Sequence, residues 1–195
     1  MRTTIYLVRH GEVYNPDGIF YGRLKGFPLS DKGRTEVHAL GKYLSDKKIS
    51  AIYASPLERA QETASIIASY HSGLSVVADE RLSEVLSCSQ GRKLLTLVKD
   101  WYKFYNSYFT KLGGETMSDI WKRMQRVIAD TVKMHKGKEI VLVSHGDPIR
   151  ITIVKHKGRP LRVGEIRQEE LVATAHGYRF TFDEFRAVDI AKLDF

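Results

Sequence analysis

The sequence predicts an α/β fold, with a mostly parallel central sheet and helices on both faces. Three observations predict it. Short β-rich runs alternate with helical stretches of roughly ten to twenty residues, the order that produces parallel strands joined by crossovers. The 195 residues are enough to bury a sizeable core and suit one domain over 1–195. No internal repeat, low-complexity tract or break in composition marks a linker.

Residues Thr3–Val8 form a compact β-rich run that ends in Arg9-His10-Gly11-Glu12, followed by a Gly-, Pro- and Asn-containing loop to about Leu29. Ser30 reads as the N-cap of a helix with Val37, Leu40 and Leu44 on one face. A second strand, Ala51–Ala54, runs into Ser55-Pro56-Leu57-Glu58. This predicts a helix with Ser55 as N-cap, Pro56 at the first helical position and Glu58 closing a capping box. Ala60, Ala64, Ile67 and Ala68 give that helix its buried stripe. Ser75–Ala78 is a shorter strand leading into Asp79 through Glu84.

An aromatic helical insert is expected across 86–112, its helix running from Arg92 to Phe109. Leu94, Leu97, Val98, Trp101, Tyr105 and Tyr108 form a core-facing stripe, and Tyr102 and Phe109 lie off it, placed to line a lid. Gly113-Gly114 ends the insert. Thr116 and Asp119 open the next helix as a capping box, with Ile120, Met124, Val127, Ile128 and Thr131 inward. Glu139–Val143 is a strand ending in Ser144-His145-Gly146-Asp147-Pro148, and a helix follows to about Lys157. The β character of Leu171–Phe182 predicts a hairpin or an antiparallel edge.

Hydrophobic residues make up 43% and charged residues 28%, within the ordinary soluble range. Thirty-one Lys and Arg against 23 Asp and Glu give a formal charge of +8, which favours anionic partners. The basic residues are dispersed along the chain, so no nucleic-acid partner is expected. The one cysteine, Cys88, excludes an internal disulfide framework and suits a reducing compartment. The N-terminal MRTTIYLVRHG lacks the apolar core of a signal peptide, and no apolar stretch is long enough to cross a bilayer. The expectation is a cytoplasmic protein without membrane association. Histidines 38, 71, 135, 156 and 176 lack the short spacings and cysteine companions of zinc ligands, so no metal is assigned.

In open α/β sheets ligands bind beyond the carboxyl ends of the strands. Three strand ends here carry unusual polar residues: Arg9-His10-Gly11, the Ser55-Pro56 turn leading to Arg59, and His145-Gly146. Two imidazoles and two guanidinium groups on one rim suit a phosphoryl group, because planar guanidinium groups bond its oxygens in pairs. An imidazole in line with the leaving oxygen can attack phosphorus and divide one hard step into two. Gly11 would let backbone and phosphate approach closely, and helices starting near Pro56 and Asp147 would add N–H donors.

The ordered set from residue 3 to about 150 resembles the histidine phosphatase superfamily, which includes the cofactor-dependent phosphoglycerate mutases. The set comprises Arg9-His10-Gly11-Glu12, Ser55 through Ala64 and Val143-Ser144-His145-Gly146, with further echoes in Pro28-Leu29-Ser30, Gly33, Asp79 through Glu84 and Gly113-Gly114-Glu115-Thr116. The resemblance implies His10 as nucleophile, Arg9 and Arg59 as phosphate ligands, His145 as a second imidazole donor and Glu84 as proton donor with a raised pKa. Gly11, Asn15, Gly22, Arg23 and Gly146 are expected around the substrate. It also implies hydrolysis of a small phosphorylated substrate without metal or organic cofactor, by a monomer or homodimer.

Departures from the family pattern bear on the reaction. Asn15 stands five residues after His10, where many members have the asparagine at six. Glu84-Val85-Leu86-Ser87-Cys88 replaces the Glu-Arg-His-Tyr-Gly segment typical of mutases, and the mutase insertion before the second arginine is missing. These favour a phosphatase over a mutase. A non-catalytic phosphate-binding scaffold is the other alternative, and the intact set of Arg9, His10, Arg59, Glu84 and His145 argues against it. Cysteine-phosphatase chemistry requires an arginine six residues after the cysteine, and Leu94 stands there.

Overall fold

The computed structural model describes residues 1–97, 105 and 110–195. Its elements run β1 Arg2–Arg9, α1 Asp31–Leu44, β2 Ile49–Ala54, α2 Glu58–Ala68, β3 Val76–Ala78, a 3-10 turn Glu80–Leu82, and α3 Leu94–Leu97. Then come α4 Met117–Met134, β4 Glu139–Ser144, α5 Gly146–His156, α6 Val163–Gln168, β5 Gly177–Asp183 and β6 Arg186–Lys192.

The strand order is β3-β2-β4-β1-β5-β6. The first four are mutually parallel, whereas β5 runs antiparallel to β1 and β6 antiparallel to β5. β1 and β4 are central and apolar on both faces, as strands covered on both sides must be. Ile5, Leu7, Ile140 and Leu142 pack toward α4 and α5. Tyr6, Val8, Val141 and Val143 pack toward α1 and α2.

Helix starts follow local chemistry. The Ser30 side chain accepts from the Gly33 N–H at 3.0 Å, and Thr116 and Asp119 close a reciprocal capping box on α4. Ser55 does not cap α2. That helix starts at Glu58 with Leu57 as N-cap, and Ser55 Oγ instead accepts from the Leu57 N–H at 3.3 Å. The reason is that Ser55 still belongs to the sheet edge: its N–H donates to the Val143 carbonyl at 3.0 Å, and Gln61 Nε2 donates to the Ser55 carbonyl at 2.8 Å.

The antiparallel edge exists, but as a hairpin of β5 and β6 that begins at Gly177 rather than Leu171. Residues before it are used elsewhere: the Val172 carbonyl accepts from Arg9, and the Ala175 N–H donates to the His10 carbonyl. The short α6 has one buried side chain, Ile166, too weak a periodic signal to read in one dimension. Of the expected aromatic helix, Leu94–Leu97 and Tyr105 are described; Trp101, Tyr102, Phe104, Tyr108 and Phe109 lie outside the described residues. Among the described residues no helix is long and apolar enough to cross a membrane.

Candidate active site

Sheet register brings the two histidines together. β1 and β4 pair with Val8 opposite Val143 and Arg9 opposite Ser144, so His10 and His145 leave neighbouring strands at the same level. The His10 N–H donates to the Ser144 carbonyl at 3.1 Å, and the two imidazole centroids are 5.0 Å apart. The first turn of α2, which follows the next strand over, carries Arg59 into the same corner, with only 1% of its surface exposed.

Hydrogen bonds fix the tautomers. His10 Nδ1 lies 2.7 Å from the Gly11 carbonyl oxygen, which only accepts, so the proton sits on Nδ1 and the lone pair on Nε2. Arg59 Nε donates toward that Nε2 at 3.3 Å. Burial, then the charges of Arg59 and Arg9, hold His10 well below the usual imidazole range, so it is neutral. A second Arg59 nitrogen lies 3.3 Å from His145 Nδ1; arginine only donates, so the His145 proton sits on Nε2. Burial and Arg59 push His145 down as well.

Arg59 also donates to the Gly22 carbonyl at 2.7 Å and stacks over the Tyr21 ring at 4.7 Å. Arg9 donates to the Val172 carbonyl at 2.7 Å, and its guanidinium lies beside Gly146 at the head of α5. Arg9 Nε and His145 Nε2 are both buried without a hydrogen-bond partner among the described residues. Each unpaired buried donor costs about 1–3 kcal/mol, a cost that an anion accepting both would remove. The corner therefore combines cationic and unpaired N–H groups, a chemistry suited to an anion, with an imidazole lone pair.

Glu84 lies in the loop after the 3-10 turn. The Glu84 backbone carbonyl accepts from Arg23 Nε at 2.6 Å and from Arg123 at 3.3 Å, and both arginines are ion-paired to Glu115. The Glu84 carboxyl accepts from the Val85 N–H at 2.8 Å. Burial, followed by the nearby Asp147 charge, pushes Glu84 up to about 7, against the opposing pull of the Val85 N–H, Arg59 and Arg9. Glu84 and Arg9 line one pocket of about 200 Å³ with Tyr21, Gly22, Gly146 and Asp147, and Ile19, Phe20, Leu94 and Leu171 supply an apolar wall.

The remaining expected residues fall as follows. Gly11 approaches α1 closely: a Cβ there would stand 2.6 Å from the Gly33 carbonyl oxygen, and the Gly11 N–H donates to Thr63 at 3.2 Å. Its missing side chain thus makes room for α1. Asn15 brackets its own loop, bonding the Ile19 N–H and carbonyl. Gly22 has φ +44° and holds Arg59 through its carbonyl. Arg23 grips the acid loop, as above. Among the described residues no three His, Cys, Asp or Glu side chains gather as a metal-holding group. A larger groove of about 540 Å³, lined by Trp121, His156 and Phe182, lies at the opposite end of the sheet, near the β5–β6 turn and away from both histidines.

The model of the histidine phosphatase superfamily (branch 1) matches residues 5–188. The chain belongs to this superfamily. A protein of Mycobacterium tuberculosis that carries the label uncharacterized is 40% identical over 153 residues, 75% of each chain. Phosphoserine phosphatase 1 of Hydrogenobacter thermophilus is 30% identical over 157 residues, 75% of this chain and 72% of its own. The structure of YhfR from Bacillus stearothermophilus superposes with a TM-score of 0.82 at 26% identity, covering 95% of this chain and 94% of the other. In this member of the superfamily the strand-end motifs were the part of the candidate site visible in the sequence. Tyr21, Asp147, Tyr105 and the Glu115–Arg123 pair carry no such signature, although Glu115 lies within the quoted Gly113-Gly114-Glu115-Thr116 segment.

Proposed function

We propose that the protein hydrolyses small phosphomonoesters through a phosphohistidine on His10 Nε2. The observation that carries this is the pairing of a neutral, buried His10, its Nε2 lone pair facing Arg59, with a Glu84 carboxyl that retains its proton near neutrality. In the first step the Nε2 lone pair attacks phosphorus, and the bond to the ester oxygen breaks with its electron pair going to that oxygen. Glu84 gives its proton to the departing alcohol. In the second step water attacks phosphorus, Glu84 takes the water proton, and the P–N electron pair returns to Nε2. The sum is ester plus water giving alcohol plus phosphate, with the enzyme restored. Arg9, Arg59 and His145 Nε2–H would hold the phosphoryl oxygens and offset the charge that builds on them. The apolar wall of Ile19, Phe20, Leu94 and Leu171 favours a leaving group with an apolar or ring-bearing part.

The test is phosphate release from a panel of phosphomonoesters without added metal, on wild type and His10→Ala. Release by wild type that falls by about 10³ or more in the variant supports the reading. Equal activity in both overturns it. Isomerisation of 3-phosphoglycerate with a bisphosphoglycerate primer, and no phosphate release, assigns the chain to transfer rather than hydrolysis.

A further inference from the structure

Asp147 has no part in the steps above, yet it is buried beside the acid. It is the second residue of α5 and faces the same pocket as Glu84 and Arg9. The Tyr105 hydroxyl donates to its Oδ2 at 2.5 Å, and Arg150, one turn along α5, approaches its Oδ1 at 3.8 Å. The positive end of α5 adds to these. Glu84 is held differently: among the described residues its carboxyl receives one donor, the Val85 N–H.

Two buried carboxyl groups in one pocket do not both ionise readily, and a shared proton goes to the one with fewer donors. Here that is Glu84. Among the described residues the groups facing the pair are Arg9 from β1, Tyr21 from the loop after it, Arg59 from α2, Arg150 from α5 and Tyr105 from the insert; Arg23 and Arg123 hold the Glu84 backbone carbonyl. Burial raises Asp147 from the ordinary carboxylate range while Tyr105, Arg150 and Arg9 pull it down. Burial and Asp147 raise Tyr105 far above the usual phenol range, so it remains a donor.

We propose that Asp147 is a positioning residue for Glu84: held as a carboxylate by Tyr105 and Arg150, it keeps the proton on Glu84 until the leaving oxygen takes it. The proposal rests on the reading of Glu84 as the acid, and the experiment separates the two. The carboxyl carbons of 13C-labelled glutamate are titrated by NMR in substrate-free wild type, Asp147→Asn and Tyr105→Phe, with Glu84 assigned by its loss in Glu84→Gln. In parallel, kcat/KM is followed against pH for an alkyl phosphate and for nitrophenyl phosphate, whose leaving group needs no proton.

Glu84 is expected to titrate near neutrality in wild type and about one pH unit lower in Asp147→Asn, with a smaller shift in Tyr105→Phe. The basic limb for the alkyl phosphate moves with it, a loss of about tenfold at pH 8, and the nitrophenyl substrate changes less. A Glu84 titration unmoved in both variants overturns the proposal. Should Asp147→Asn fail to fold, Tyr105→Phe decides alone, because it leaves the carboxylate in place. Absence of phosphate release by wild type sinks the hydrolase reading, while the NMR titration still decides what Asp147 does to Glu84.

Discussion

The corner around His10 and the corner around Glu84 are both buried, and burial acts on them with opposite sign. In the first, cations surround imidazoles, so desolvation and Arg59 together keep a second proton off His10 and leave the ring neutral. In the second, two carboxyl groups share a pocket, so desolvation and Asp147 together hold a proton on Glu84. One physical cause thus leaves a neutral imidazole and a protonated carboxyl at the same pH, the states that the proposed nucleophile and proton donor need. The lesson is that the division of labour is set by which neighbours each side chain is buried with, more than by the side chain itself.

The sharpest way to break this contrast is to remove the proposed proton donor and leave the proposed nucleophile. Glu84→Gln is expected to lower kcat for alkyl phosphates by about 10²–10⁴, with a much smaller loss for nitrophenyl phosphate. Equal losses on both would show that Glu84 does not protonate the leaving group. Next, Arg59→Lys keeps the positive charge but loses the planar fork that reaches His10, His145 and the Gly22 carbonyl together. Steady-state kinetics should show kcat/KM reduced by about 10–100-fold; an unchanged value would mean that charge alone suffices at this position.

Stability gives a third, smaller readout. The folded Glu84 binds its proton more tightly than the unfolded chain does, so its contribution is present in full at low pH. It is lost as pH rises from the ordinary glutamate range through about 7. Glu84→Gln, which cannot ionise, should therefore gain about 2 kcal/mol over wild type at pH 8 and much less at pH 5, by urea unfolding. His10 and His145 act the other way: their folded values lie below the unfolded one, so their contribution is lost as pH falls below the usual imidazole range. Last, Thr116→Ala breaks the α4 capping box far from the nucleophile and should cost about 1 kcal/mol with kcat unchanged. A fall in kcat would mean that α4, through Arg123, transmits its end position to the acid loop.

The two corners also differ in how legible they are in one dimension. Arg9 ends a buried strand, His10 and His145 directly follow buried strands, and Arg59 lies in the first turn after another, so alternation and strand ends suffice to bring them together. The central parallel sheet and the Ser30 and Thr116 helix starts are readable for the same reason: each depends on neighbours within a few residues. Glu84 is named by its motif, but what fixes it is not local. Arg23, Glu115 and Arg123 converge on it from three distant segments, and Asp147 faces it from the head of another helix. The Ser55 helix start fails because the sheet claims that residue, a tertiary demand that outweighs local capping preference. The Leu171 strand start fails likewise, since the Val172 carbonyl is spent on Arg9.

The place of β1 has a kinetic consequence. Thr4 pairs with Glu139 and Val8 with Gly177, so the strand that leads into His10 closes its ladders only with partners from the far half of the chain. Such non-local pairing must meet its loop-closure entropy before contacts reward it, which slows folding. During synthesis β1 emerges with an apolar run and both edges open, and one edge has no partner until β4 is made and the other none until β5 is made.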